Sequence, residues 1–100
     1  MDLRIQENCD DIEWGQISDA LKQAGMSYYT PEEHQRAFQN SFAVVFVFHQ
    51  DRMIGFGRAM SDDAYQAAVY DIVVLPEYQK QGFGRLIMER ILPKIAHCNT

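Results

Sequence analysis

One hundred residues with nine basic and fourteen acidic side chains, a formal net charge of −5 and 47% apolar content suit one small folded domain rather than a disordered chain. The acidic surplus argues against a duplex nucleic-acid partner, and no stretch reaches the roughly 20 apolar residues of a membrane span. Met1-Asp2-Leu3-Arg4-Ile5 lacks the basic flank and apolar stretch of a secretory signal, and Cys9 and Cys98 form no metal-type pair, so a cytoplasmic protein without metal or membrane partner is expected.

Leu3-Arg4-Ile5 alternates as a short strand. Asp10 or Asp11 is placed to cap a helix in which Trp14, Ile17, Ser18, Leu21 and Ala24 recur at helical spacing, stopped by Gly25. Met26-Ser27-Tyr28-Tyr29 is a connection. Thr30-Pro31-Glu32-Glu33 then opens a second helix, with Thr30 as cap, Pro31 in the first turn and Glu33 reaching back in a capping box. His34, Ala37, Phe38 and Ser41 mark its less polar side.

Phe42 to His49, rich in Val and Phe, predicts a buried strand. Gln50-Asp51-Arg52 connects it to a second strand from Met53 to about Met60, as a hairpin without the Asn-Gly or Asp-Gly signature. After the Ser61-Asp62-Asp63 turn, Ala67 to Leu75 forms a third strand, ended by Pro76. Gly82 to about His97 predicts a helix that Pro93 kinks or shortens. The organisation is one domain over 1–100: a strand and two helices (1–41), central strands (42–75), and a loop and helix (76–98). A strand running into a covering helix calls for a further strand beyond it, so the chain is expected to be cut short after Asn99-Thr100.

Charge is unevenly spread. Asp2, Glu7, Asp10, Asp11, Glu13, Asp19, Glu32 and Glu33 outweigh the bases of residues 1–40, whereas Lys80, Arg85, Arg90 and Lys94 face only Glu89 from Gln79 onward. The second region suits an anion. Gly82 and Gly84 at a helix start would let a phosphate approach unpaired backbone N–H groups, with Lys80 and Arg85 adding attraction. The same glycines also serve as turn and cap residues. Neither Gly-x-Gly-x-x-Gly nor a Gly-Lys-Ser/Thr loop is present.

Gln79-Lys80-Gln81-Gly82-Phe83-Gly84 resembles the Gln/Arg-x-x-Gly-x-Gly/Ala signature of the GCN5-related N-acetyltransferase superfamily. The strand exit Val73-Val74-Leu75-Pro76-Glu77-Tyr78 and the apolar helix positions Leu86, Ile87, Met88 and Leu92 are similar to that family too. The resemblance implies an α/β fold (α+β, with a mixed sheet) of the acyl-CoA N-acyltransferase type, in the order β-α-α-β-β-β-α. It implies acetyl-CoA as cosubstrate, with the amides of Gln81, Gly82, Phe83, Gly84 and Arg85 on its pyrophosphate and Gln79 opening that loop. The pantetheine arm is expected along Ile72, Val73 and Val74. Acetyl would pass directly to a primary amine, with a backbone N–H near Val73 or Val74 serving the thioester oxygen. No Cys–His nucleophile is needed, and the neighbours His97 and Cys98 point apart on a helix.

Asp71, the sole acid in its strand and expected on the face of Val69, Val73 and Leu75, is the candidate base; the rival reading is a structural acid bonded to backbone or to Arg58. Tyr78 precedes the glycine loop and does not inherit the family's general-acid role. The family's use of its first two helices for the acceptor points to Trp14, Tyr28, Tyr29, His34 and Phe38, the aromatic core reading remaining open for Trp14 and Phe38. Asp19, Glu32 and Glu33 would favour a cationic, small-molecule amine. A homodimer is common in the family. A catalytically inactive module that only binds CoA or another protein is the alternative.

Overall fold

The computed structural model describes residues 2–98; Met1 and the expected chain end at Asn99-Thr100 lie outside them. Strand β1 is Leu3–Gln6, followed by helices α1 (Trp14–Gln23) and α2 (Pro31–Gln39). Strands β2 (Ala43–His49), β3 (Arg52–Ser61) and β4 (Ala67–Val74) precede helix α3 (Phe83–Ile91). The element order is the expected one. The sheet order is β1-β2-β3-β4 and every pairing is antiparallel, so the expected mixed sheet has no parallel pair among the described residues.

Alternation along β2 divides the core. Val44, Phe46 and Phe48 face α1 and α2, whereas Ala43, Val45 and Val47 face α3. On the first side Ile17, Ala20 and Leu21 of α1 and Phe38 of α2 meet the sheet; on the second, Phe83, Ile87 and Ile91 of α3 do. Trp14, Phe38, Phe46 and Phe56 form a connected aromatic cluster with ring centroids 5.5–6.1 Å apart, within the range where such pairs add to burial.

Local signals behave as their chemistry dictates in most places. Thr30 caps α2, its hydroxyl accepting from Glu33 N while the Glu33 carboxylate accepts from Thr30 N. Gly25 takes φ +73° just beyond α1. Pro93 ends α3 at Ile91 and leaves a 3-10 turn over Leu92–Ile95. The α1 cap is a correction. Neither Asp10 nor Asp11 caps it; Glu13 occupies the position without a side-chain cap bond. Asp10 is instead drawn into a turn in which its N–H donates to Asn8 Oδ1 and its C=O accepts from Gln6 Nε2. Glu7, just after β1, is clamped by Lys94 of the 3-10 turn and Arg90 of α3, whose hydrogen bonds hold its carboxyl below the usual carboxylate value.

The feature that shapes the site is a bulge in β4. Phe56 pairs with Val73 but Arg58 pairs with Tyr70, so Gly57 faces two residues, Asp71 and Ile72. Asp71 takes φ +56°, and it is the only non-glycine residue of a described strand in the left-handed region. The extra residue swaps faces. Val69 and Ile72 lie on the α3 side, whereas Val73 and Leu75 lie on the other, so Asp71 does not share the face of Val69 as alternation alone predicts.

Gly57 makes room for this geometry. A Cβ there would lie 2.3 Å from Ile72 Cδ1 and 2.8 Å from Ile87 Cγ2. Gly57→Ala is therefore expected to destabilise the fold by about 1–3 kcal/mol, read as a lower urea midpoint with an unchanged slope. An unchanged midpoint would mean that α3 and the bulge are not locked together through this glycine.

Candidate functional site

Two neighbouring regions emerge from β4, one at its exit and one at its bulge. After Pro76–Tyr78, a 3-10 turn, the chain passes through Lys80 at φ +65° and Gly82 at φ +90° into α3. Gly82 is the N-cap residue and supplies no side-chain cap; the first helical bond runs from Leu86 N to Gly82 O. The N–H groups of Gly82, Phe83, Gly84 and Arg85 thus have no intrahelical acceptor. A Cβ at Gly82 or Gly84 would meet nothing within 4 Å, so open space lies beside both glycines at this opening. The helix dipole and the amides together make this opening receptive to an anion, and the groups present fit a pyrophosphate. Lys80, Gln81 and Arg85 are exposed around it, Arg85 lying 3.7 Å from Glu89, while the Phe83 ring turns inward and is buried.

Gln79 stitches this loop to the strand, its Nε2 donating to Val74 O at 3.0 Å. Leu75 N donates to Ile54 O, so strand alternation turns Val73's backbone groups toward β3 and those of Ile72 and Val74 toward the other edge. No strand pairs with that edge among the described residues. Of the three positions expected along an extended arm, Ile72 and Val74 present backbone groups there, and Val74 O is already used by Gln79.

At the bulge, a cavity of about 470 Å³ is lined by Met26, Ser27, Tyr29, Glu33, His34, Ala37, Arg58 and Asp71, a volume suited to a small molecule. Arg58 Nε donates to Asp71 Oδ2 at 2.8 Å and its Nη1 to Ser41 Oγ at 3.2 Å. The guanidinium also lies within cation–π reach of the rings of Phe38 and Tyr70, 5.6 and 5.4 Å from their centroids. Asp71 Oδ1 has no hydrogen-bond partner among the described residues. His34 is only 4% exposed; its Nε2 accepts from Tyr29 N at 2.9 Å, and burial lowers its pKa from the ordinary value.

The structure therefore brings Asp71, Tyr29 and His34 together. It does not bring in Trp14, which packs against Phe38 and Phe46, nor Phe38 itself, which is buried beneath the site. Tyr28 is half exposed, its ring beside Lys22. Asp19 lines a different cavity, between α1 and the β2–β3 hairpin; Glu32 lines neither. Arg58 entered the sequence reading only as a partner for Asp71, and Gly57 not at all. A glycine inside a strand often marks a bulge or close approach, and that signal was present at Gly55 and Gly57.

The family model described as acetyltransferase (GNAT) family matches residues 7–99. An uncharacterized N-acetyltransferase, ycf52, of Gracilaria tenuistipitata var. liui is 28% identical over 97 residues, covering 93% of this chain and 47% of that protein. The chain thus spans about half the length of this curated relative. A probable acetyltransferase from meticillin-resistant Staphylococcus aureus, SA2161, superposes with a TM-score of 0.83 at 31% identity, over 96% of this chain and 73% of that one. An aminoglycoside 6'-N-acetyltransferase complexed with coenzyme A shares the fold at TM-score 0.77 and 19% identity, over 93% of this chain and 55% of that one.

Proposed function

Because the chain belongs to the acetyltransferase (GNAT) family, we propose that it carries the acetyl-CoA site and the amine-facing cavity of an N-acetyltransferase that passes acetyl directly to an amine. The observation that carries this reading is the uncapped start of α3, where four backbone donors and two open glycines meet at the end of a bulged strand. Acetyl-CoA supplies the activated acetyl group. The amides of Gly82, Phe83, Gly84 and Arg85 would hold its pyrophosphate, with the Gln81 amide beside them and Gln79 fixing the loop. Ile72 and Val74, rather than Val73, offer strand-edge backbone groups to its extended arm.

The cavity beside the bulge suits the acceptor. Tyr29 and Glu33 stand at its wall, and Asp71, supported from below by Arg58, presents Oδ1 as the base that takes a proton from the ammonium form. With Glu33 and Asp71 against a single Arg58, the lining favours a cationic amine over an anionic one. The acceptor is a small cationic amine in the cytoplasm, to which the chain delivers the acetyl group.

The test is calorimetric titration of acetyl-CoA, followed by thiol release across cationic, neutral and acidic amines, on this chain and on a form continuing past Thr100. Binding with amine-dependent thiol release supports the proposal. Binding with no thiol release from any amine would make the chain a CoA-binding module, and no binding by either form would overturn the site at α3. Equal turnover of acidic amines would remove the cationic preference alone.

A further inference from the structure

The connection between α1 and α2 walls the acceptor cavity through Met26, Ser27 and Tyr29, and its last turn is held in an unusual way. Both backbone polar groups of Tyr29 are taken by side chains, one from each flanking helix. Ser18 Oγ of α1 donates to Tyr29 O at 2.9 Å, and Tyr29 N donates to His34 Nε2 of α2 at 2.9 Å. The imidazole is buried, and the Tyr29 ring stands edge-on to it, 5.8 Å between centroids, with 61% of the residue exposed. Its place follows from the capping box. Thr30 and Glu33 fix the first turn of α2, and His34 N bonds Thr30 O.

A backbone N–H can only donate, so Nε2 must carry a lone pair and the ring proton must sit on Nδ1. An imidazolium would set N–H against N–H. We infer that His34 is a positioning residue, whose unprotonated Nε2 holds the Tyr29 amide and thereby fixes the cavity wall against which an acceptor amine is aligned. This rests on the acetyl-transfer reading of the cavity, and it separates His34 from the proton transfer itself, because its acceptor nitrogen is already engaged.

The surroundings make the arrangement sensitive to pH. Burial, the dominant influence, favours the neutral ring; Asp71 of β4 and Glu33 of α2 oppose it, and Arg58 of β3 reinforces it. From α1, Ser18 bonds the Tyr29 carbonyl and adds no charge. The folded state therefore binds the His34 proton less readily than the unfolded chain. The stabilisation is complete above the unfolded pKa near 6.5 and is lost as pH falls from there through the lower folded value.

The decisive measurement is the protection factor of the Tyr29 amide against hydrogen exchange, in the full chain, across that pH range. In the native protein Tyr29 protection is expected to fall on acidification while strand amides such as Val45 and Val47 keep theirs. His34→Gln, which retains an acceptor oxygen at the Nε2 position but does not titrate, is expected to hold Tyr29 protection flat. His34→Phe, which keeps the burial and removes the acceptor, is expected to hold it about tenfold below the His34→Gln level at every pH, the worth of one hydrogen bond, with the native protein falling from the upper level toward the lower one on acidification. With an acetylated amine in hand, the ratio of amine KM between native protein and His34→Gln should rise on acidification, with the KM for acetyl-CoA unmoved. Taking the ratio cancels protonation of the amine. Tyr29 protection indifferent to all three side chains would overturn the inference. Absence of acetyl transfer with the exchange pattern intact would instead count against the function proposed for the cavity.

Discussion

Gly84→Asp is expected to weaken acetyl-CoA binding by at least about 100-fold while leaving the fold as stable as before, or slightly more so. Gly84 is the second residue of α3, and a side chain there has open space before it. Helix propensity favours this replacement by only about 0.1–0.3 kcal/mol, because Asp ranks just above Gly, and a carboxylate in the first turn complements the dipole by about 0.3–1 kcal/mol. Nothing in the fold asks for glycine here. A pyrophosphate would ask for it: the new side chain blocks approach to the amides, and its charge repels the ligand that charge-assisted hydrogen bonds of about 1.5–3 kcal/mol each would otherwise hold. Losing one or two of them gives the 100-fold, about 2.7 kcal/mol.

The molecule contains its own control. Gly15 is the second residue of α1, and a Cβ there also meets nothing within 4 Å. Gly15→Asp should raise thermal stability by the same mechanism and leave acetyl-CoA affinity unchanged. If both substitutions stabilise and neither alters binding, the anion is not received at α3. If Gly84→Asp lowers stability instead, the glycine serves packing and the ligand argument loses its basis.

What the sequence made legible, and what it concealed, divides along the range of the interactions. The capping box at Thr30–Glu33, the stop at Gly25, the break at Pro93 and the glycine loop before Phe83 are set by a few neighbouring residues, and all take the expected form. The cap of α1 failed because the turn through Asn8 and Asp10 and the left-handed Asp11, at φ +53°, put the helix start at Trp14, so that the cap position falls on Glu13. The bulge was hidden because it is a mismatch in count between β3 and β4, fixed only when Gly57 meets Ile72 and Ile87 across the sheet. One extra residue there moves Asp71 off the face that simple alternation assigns it. Likewise Trp14 and His34 read alike as aromatic positions on the first two helices, but the packing of Phe38 and Phe46 takes Trp14 into the core, and a single backbone N–H gives His34 its work.

The second large effect concerns the carboxylate that the bulge presents. Asp71→Asn is expected to lower kcat for amine acetylation by about 100- to 1000-fold, the usual scale for a removed general base, with little change in the KM for acetyl-CoA. The substitution is chosen for what it preserves. Asparagine tolerates the left-handed backbone that Asp71 adopts at φ +56°, and its amide oxygen can still accept from Arg58 Nε, so the bulge and the stacked guanidinium should stand. Only the ability to take a proton is lost. Accordingly, the fall in kcat should persist when the amine is presented at a pH that leaves it largely neutral. Asp71→Ala adds loss of the Arg58 contact and strain at φ +56°, so its additional cost should appear as lower stability, not as a further fall in kcat. Turnover unchanged in Asp71→Asn would make the Arg58–Asp71 pair a brace for the bulge, and the proton would then have to leave the amine by another route.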